Sequence, residues 1–311
     1  MRQVYDFSNV KFHCSTLYNL IAPGKTLTPK QKYSQLQTIL ADEMRKYDEM
    51  GERKQGMANG LKKASKIAGI EYDLKLLEPK KHIDPISATA KSLLKRYYGF
   101  LKYGKWSVAI DKGNKYTNKG QLGENDSIAL INFLDGTNCM KNEDTLEDEF
   151  LIGIPDINHQ KDSGLYIIDV KTSWDWDTFS ENLGEELNPV YFHQLQGYMS
   201  LTGATKGEVS YCLVDTPESI VNDEIMWLAK RVDAISTESP SFLAKRDELV
   251  NNLTFSDIPA MERRIKFEVF FDPEAMMKIY EAIPKMREFL FEIQEMHLTG
   301  KISKEELVEI E

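Results

Sequence analysis

The residues of this chain whose types and spacing could do chemistry lie between positions 124 and 198. The stretch Gly164–Thr172 reads as a β-strand from its aromatic and β-branched content. Side chains alternate across a strand, so Asp169 and Lys171 share one face while Ile168 and Val170 share the other. An aspartate and a lysine on an otherwise apolar strand are costly to bury without partners. The segment before it, Ile152-Gly-Ile-Pro-Asp156, ends in a second carboxylate. If the two segments form a hairpin, Asp156 comes near Asp169, and two carboxylates that close repel unless a cation or a proton sits between them. A hard divalent cation with oxygen ligands is the natural occupant; magnesium usually takes one or two carboxylates and completes its shell with phosphate and water.

Two helices are needed to complete such a site. In Lys119–Leu134, Glu124 precedes Ile128 and Ile131 on one stripe, so it heads the inward face. In Pro189–Thr202, opened by the cap Asn188 and closed by Gly203, Gln194 and Tyr198 stand four apart on the face of Tyr191, Leu195 and Leu201. Each residue also has an ordinary reading. Glu124 is then a surface carboxylate that favours a helix start, Asp156 a turn aspartate, Asp169 and Lys171 an intrastrand ion pair, and Gln194 and Tyr198 a core polar pair.

The remaining elements set the frame. Helices are expected after the Thr28-Pro29 cap, over Met57–Ala68 and over Ile86–Leu101; Phe150–Ile157, Glu208–Val214 and Ile265–Phe271 read as strands, Asn158–Ser163 as a turn, and the tail from Pro273 as helical. A helical amino-terminal region followed by alternating strands and helices predicts a mixed α/β fold.

The order Gly120-x-x-x-Glu124, Pro155-Asp156, twelve residues, Asp169-Val170-Lys171, then Gln194-x-x-x-Tyr198 resembles the PD-(D/E)xK nuclease superfamily. More narrowly it is similar to the lambda-exonuclease and YqaJ-like viral recombinase branch, which is related to RecB-type nuclease domains. The likeness is best over residues 115–216. It implies a restriction-endonuclease-like mixed sheet flanked by helices, with residues 1–105 a helical region packed on the core, 106–275 the nuclease core and 276–311 a helical end. It further implies that Glu124, Asp156, Asp169 and the carbonyl of Val170 hold one or two Mg²⁺ ions, with Mn²⁺ as a substitute. Lys171 would orient or deprotonate the attacking water, and Gln194 and Tyr198 would brace the site and contact the nucleic-acid strand. By the same likeness the activity is that of an exonuclease resecting linear duplex DNA 5′ to 3′ for phage-type recombination, with a single-strand annealing protein as partner and a homo-oligomeric ring as assembly. Cys14-Ser15-Thr16 falls where such exonucleases often carry a phosphate-contacting serine. Two rivals stay open: a RecB-like nuclease acting on single strands or DNA ends, and a non-catalytic DNA-end-binding accessory protein.

Composition bounds these readings. The chain has 311 residues, 41% of them hydrophobic and 28% charged, which is the make-up of a globular protein with a sizeable core. No apolar run approaches the ~18 residues of a membrane helix, and no apolar signal segment opens the chain, so a cytoplasmic protein is expected. Cys14, Cys139 and Cys212 stand too far apart for a zinc ribbon or a four-cysteine cluster. The net charge of −10 speaks against a purely electrostatic DNA binder, yet residues 91–120 carry +7 and residues 121–190 carry −13. That division reads either as ordinary solvated surface or as a basic polyanion track beside an acidic cation site.

Other features carry weaker signals. Trp174 and Trp176 either stack on bases or pack; Arg263, Arg264 and Lys266 either contact phosphate or form a solvated cluster. His193 neighbours Gln194 and could face the site. No Walker loop or Gly-x-Ser-x-Gly motif is present.

Overall fold

The structure, a computed structural model, describes residues 4–23, 27–81, 86–105, 115–232 and 237–300. Its centre is a four-stranded sheet in the order β4-β5-β6-β7, made of β4 (Ile157–Lys161), β5 (Gly164–Thr172), β6 (Lys206–Cys212) and β7 (Arg264–Phe270). β4 and β7 run antiparallel to their neighbours, and β5 and β6 pair in parallel. A parallel pair needs a crossover, which is supplied by the helix Pro189–Thr202. A small second sheet sets β3 (Leu151–Gly153) between β1 (Phe12–His13) and β2 (Leu146–Glu147).

Two apolar layers cover the faces of β5. Tyr166, Ile168 and Val170 pack with Ile128, Leu130 and Ile131 of the helix Lys115–Asp135. On the other face Ile167 joins Leu195 and Met199 of the crossover helix in a larger cluster, which takes in Phe7 near the amino terminus, Leu94 of the helix Ala88–Tyr103 and Leu290 of the helix Pro273–Thr299. The mixed sheet flanked by helices, with a helical amino-terminal region, is the fold class expected. The helices Pro29–Asp48 and Ala58–Leu77 form a hairpin that makes its main contacts within itself; the first buries no residue fully.

Three expectations are corrected in detail. Phe150–Ile157 is not one strand: the ladder breaks at Ile154-Pro155-Asp156, because proline has no N–H to donate, and pairing resumes at Ile157. Residues 158–161, expected as a turn, extend β4, leaving Asp162 and Ser163 to turn the chain. The second amino-terminal helix runs on to Leu77. The expected helical tail ends at Thr299 among the described residues; positions 301–311 lie outside them.

A buried charge network locks β5, β6 and β7 together. Glu208 is fully buried and accepts hydrogen bonds from Tyr166 Oη (2.8 Å) and Ser210 Oγ (2.7 Å). Lys266 Nζ lies 2.8 Å from its Oε2, and Arg264 binds its Oε1 while reaching Asp135 at 2.8 Å. Arg264 and Lys266 are therefore engaged in the fold, and neither the phosphate-contact nor the solvated-cluster reading describes them. Burial raises the Glu208 pKa, but the hydrogen bonds from Lys266 and Ser210 and the charge of Arg264 outweigh it, so the carboxyl sits below its ordinary 4.5. Stability from this group is present above pH 4.5 and disappears as pH falls through the lower folded value. Glu208→Gln is expected to cost about 3 kcal/mol in urea unfolding at neutral pH, since one partner of a buried network is lost. The deficit relative to the unsubstituted protein should shrink as pH is lowered through that range.

Candidate active site

The register of the β4–β5 hairpin pairs Ile157 with Ile168. Continued by one residue, it sets Asp156 across from Asp169, so the two carboxylates expected to meet are brought together. Asp156 Oδ2 accepts a hydrogen bond from the Val170 amide at 2.7 Å, which fastens the irregular Pro155-Asp156 segment to β5. Asp169 is fully buried. Its Oδ1 accepts a hydrogen bond from Gln194 Nε2 at 3.1 Å, and the same amide donates to Tyr198 Oη at 3.0 Å. Lys171 Nζ stands 2.7 Å from Asp169 Oδ2 as an ionic contact rather than an aligned hydrogen bond. The lysine also lies 4.6 Å from the centre of the Tyr191 ring.

Glu124 arrives from the opposite face. Gly123 brings its helix close to β5: a Cβ there would stand 3.3 Å from Thr172 Cγ2. Ser127 Oγ and Thr172 Oγ1, 2.9 Å apart, tie helix to strand. Glu124, Asp156, Val170 and Lys171 then line one open cleft of about 470 Å³, walled by Tyr191 and Tyr211. Asp169, Gln194 and Tyr198 lie behind that surface and brace it. All six predicted side chains are thus in one neighbourhood: Asp156, Asp169 and Lys171 from β5 and the segment leading into β4, Glu124 from the helix Lys115–Asp135, and Gln194 and Tyr198 from the crossover helix.

The electrostatics are those of a site short of positive charge. Burial and the neighbouring Asp169 push the Asp156 carboxyl up to about 7, against the opposing pull of Lys171 and the Val170 amide. Burial disfavours the Lys171 ammonium, but the charges of Asp169 and Asp156 outweigh it and hold its pKa above the ordinary value. Of the buried carboxylate oxygens, Glu124 Oε1 accepts no hydrogen bond, and Asp169 Oδ2 has the ionic contact of Lys171 as its partner. Among the described residues no three acidic, histidine or cysteine side chains converge in a ready-made metal cage. The donor set nonetheless fits a hard divalent cation, which needs one or two carboxylates with water and phosphate completing its shell.

Other candidates fall elsewhere. Cys14 is buried, its thiol pushed up to about 12 by burial, and it packs under Gly153 and Gly197; Ser15 and Thr16 line a separate groove with Tyr97 and Phe100. His193 is bonded to the Pro189 carbonyl at 2.7 Å and stacks near Tyr18. Trp174 is buried and packs, whereas Trp176 is about half exposed. Lys119, counted above in a basic track, is fully buried; it donates to the Trp174 carbonyl at 2.8 Å, and burial brings its pKa down to about 8. It supports the loop after Lys171 and offers nothing to a polyanion. Lys112 of the same track lies outside the described residues. Sequence reasoning missed Lys141, whose ammonium is 2.7 Å from Glu124 Oε2; its position in a polar loop gave no signal.

No protein-family description and no curated protein matches this chain. Among solved structures, a phage related exonuclease from Haemophilus somnus aligns over 93% of this chain and 97% of its own, at 23% identity and a TM-score of 0.55, which shows a shared fold. More distant likenesses are to an alkaline exonuclease from Laribacter hongkongensis (10% identity, TM-score 0.44, covering 70% of this chain and 90% of its own) and to the same enzyme in complex with dAMP (12%, 0.41, covering 72% and 88%).

The tight seat of Tyr198 is open to test. A Cβ at Gly153 would meet Tyr198 Cε1 at 2.7 Å and Cys14 Sγ at 2.8 Å. Gly153→Ala is expected to destabilise the protein by about 1–3 kcal/mol in urea unfolding through overpacking.

Proposed function

We propose that this chain is a metal-dependent deoxyribonuclease of the PD-(D/E)xK type, acting as an exonuclease on linear double-stranded DNA. The observation that carries the reading is the pairing of Asp156 with the buried Asp169 and with Lys171, the first and last of which line one cleft together with Glu124 from the helix Lys115–Asp135. Burying those charges together costs stability, and phosphodiester hydrolysis gives them a use. The fold shared with a phage related exonuclease agrees with it.

In this reading Glu124, Asp156 and Asp169, with the Val170 carbonyl, hold one or two Mg²⁺ or Mn²⁺ ions. Such an ion lowers the pKa of water and offsets negative charge developing on the phosphate. Lys171, kept protonated by the two aspartates, points its ammonium toward the cleft, where it orients the attacking water and neutralises charge on the phosphoryl oxygens. Gln194 fixes the rotamer of Asp169, and Tyr198 fixes Gln194. The expected biology is resection from 5′ ends for phage-type recombination, with a single-strand annealing protein as the recipient of the exposed strand and a ring of identical subunits around DNA.

The test uses end-labelled linear duplex, single-stranded DNA and closed circular duplex, each with Mg²⁺ or with chelator. Metal-dependent loss of the linear duplex with survival of the circle is expected. Preference for single strands would favour a RecB-like activity, cutting of the circle would refute a strict exonuclease, and no cutting at all would leave a DNA-end-binding protein. Asp169→Ala should abolish cutting while DNA binding persists in chelator, and Lys171→Ala should lower the rate by about 100-fold or more with metal binding retained. Wild-type rates in either variant would refute the assignment.

A further inference from the structure

Lys141 stands at the site without a role in the reading above, and this inference rests on that reading. Its ammonium lies 2.7 Å from Glu124 Oε2, with the lysine side chain 42% exposed and the glutamate 16%. The other oxygen of that carboxylate, Oε1, is buried and accepts nothing. The loop carrying Lys141 is held on both sides. Before it, Asn132 donates to the Cys139 carbonyl at 2.8 Å and accepts from the Cys139 amide at 2.7 Å. After it, the Asn142 amide donates to the Asp156 carbonyl at 2.7 Å, and the Asn142 side chain donates to the Pro155 carbonyl at 2.9 Å. The loop is therefore laced to the very segment that presents Asp156, and Lys141 extends from it to Glu124. A partly exposed lysine on four rotatable bonds can leave without disturbing either anchor.

We propose that Lys141 is a resident counter-ion of Glu124 that competes with the divalent cation for that carboxylate, so that it sets the cation concentration at which the site fills. One carboxylate oxygen held by an ammonium and the other left bare is the arrangement of a ligand kept in place and kept waiting. Lys141 is a positioning residue: it acts through Glu124.

The experiment is Mn²⁺ binding to the full chain, read from the electron paramagnetic resonance signal of free Mn²⁺, for the unsubstituted protein and for Lys141→Met, Lys141→Gln and Lys141→Arg. Both neutral variants should bind Mn²⁺ about two- to fivefold more tightly, the scale of one partly exposed ion pair, and Lys141→Arg should stay near the unsubstituted value. In a Glu124→Gln background the substitution of Lys141 should change nothing. Equal or weaker binding by both neutral variants overturns the proposal, as does a gain that persists undiminished with Glu124→Gln, which would mark long-range electrostatics. An unsubstituted protein that binds no Mn²⁺ and cuts no DNA defeats the nuclease reading and this inference with it. One that binds and cuts but is indifferent to Lys141 defeats this inference alone.

Discussion

The burial of Asp169 is the constraint on which the arrangement of the site depends. A carboxylate with no exposed surface in the middle of a sheet must have both its oxygens answered, and the protein answers them from two directions. Gln194 supplies a donor from the crossover helix, and Lys171 supplies a charge from two residues further along the same strand. Each of these then constrains something else. Gln194 is itself held by Tyr198, and Tyr198 fits only because position 153 carries no side chain. The crossover helix, the small second sheet and the hairpin end are thus joined through one buried anion.

On the neighbouring strand β6, paired with Ile168, a second buried carboxylate, Glu208, receives a different treatment. Hydrogen bonds and two cations satisfy it, and it has no exposed surface. The contrast separates structural from chemical use of buried charge. Glu208 is held below the ordinary carboxyl range, as a fully compensated anion is. Asp156 is pushed up to about 7, as an anion with too little compensation is.

Much of this was legible in the sequence, and the limits follow from what sequence patterns encode. Alternation along Gly164–Thr172 places Asp169 beside Lys171 on one face, and the spacing to Asp156 matches a hairpin. Helical periodicity orients Glu124, Gln194 and Tyr198. What periodicity cannot supply is depth. Lys119 lies on a helix amid other basic residues, and only packing under Trp174 and Phe255 shows that it is interior. Arg264 and Lys266 look like a surface cluster until the antiparallel register of β6 and β7 sets them around Glu208. Lys141 sits in a loop whose shape is determined by backbone hydrogen bonds to a distant segment, and no local rule predicts those. The strand expected over Phe150–Ile157 runs straight through Pro155; the proline instead marks a gap between two strands in different sheets.

The helical hairpin formed by Pro29–Asp48 and Ala58–Leu77 has a consequence of another kind. Because its contacts are chiefly internal, its cohesion comes from one seam between two helices and a few exposed ion pairs such as Lys66–Glu43. A unit with few contacts to the rest of the fold is the kind that opens locally at a free energy below that of global unfolding. Evolution can lengthen, shorten or recharge it turn by turn while the buried anion and its partners remain untouched. The fold thereby keeps its chemistry on a part that tolerates little change and its variability on a part that tolerates much.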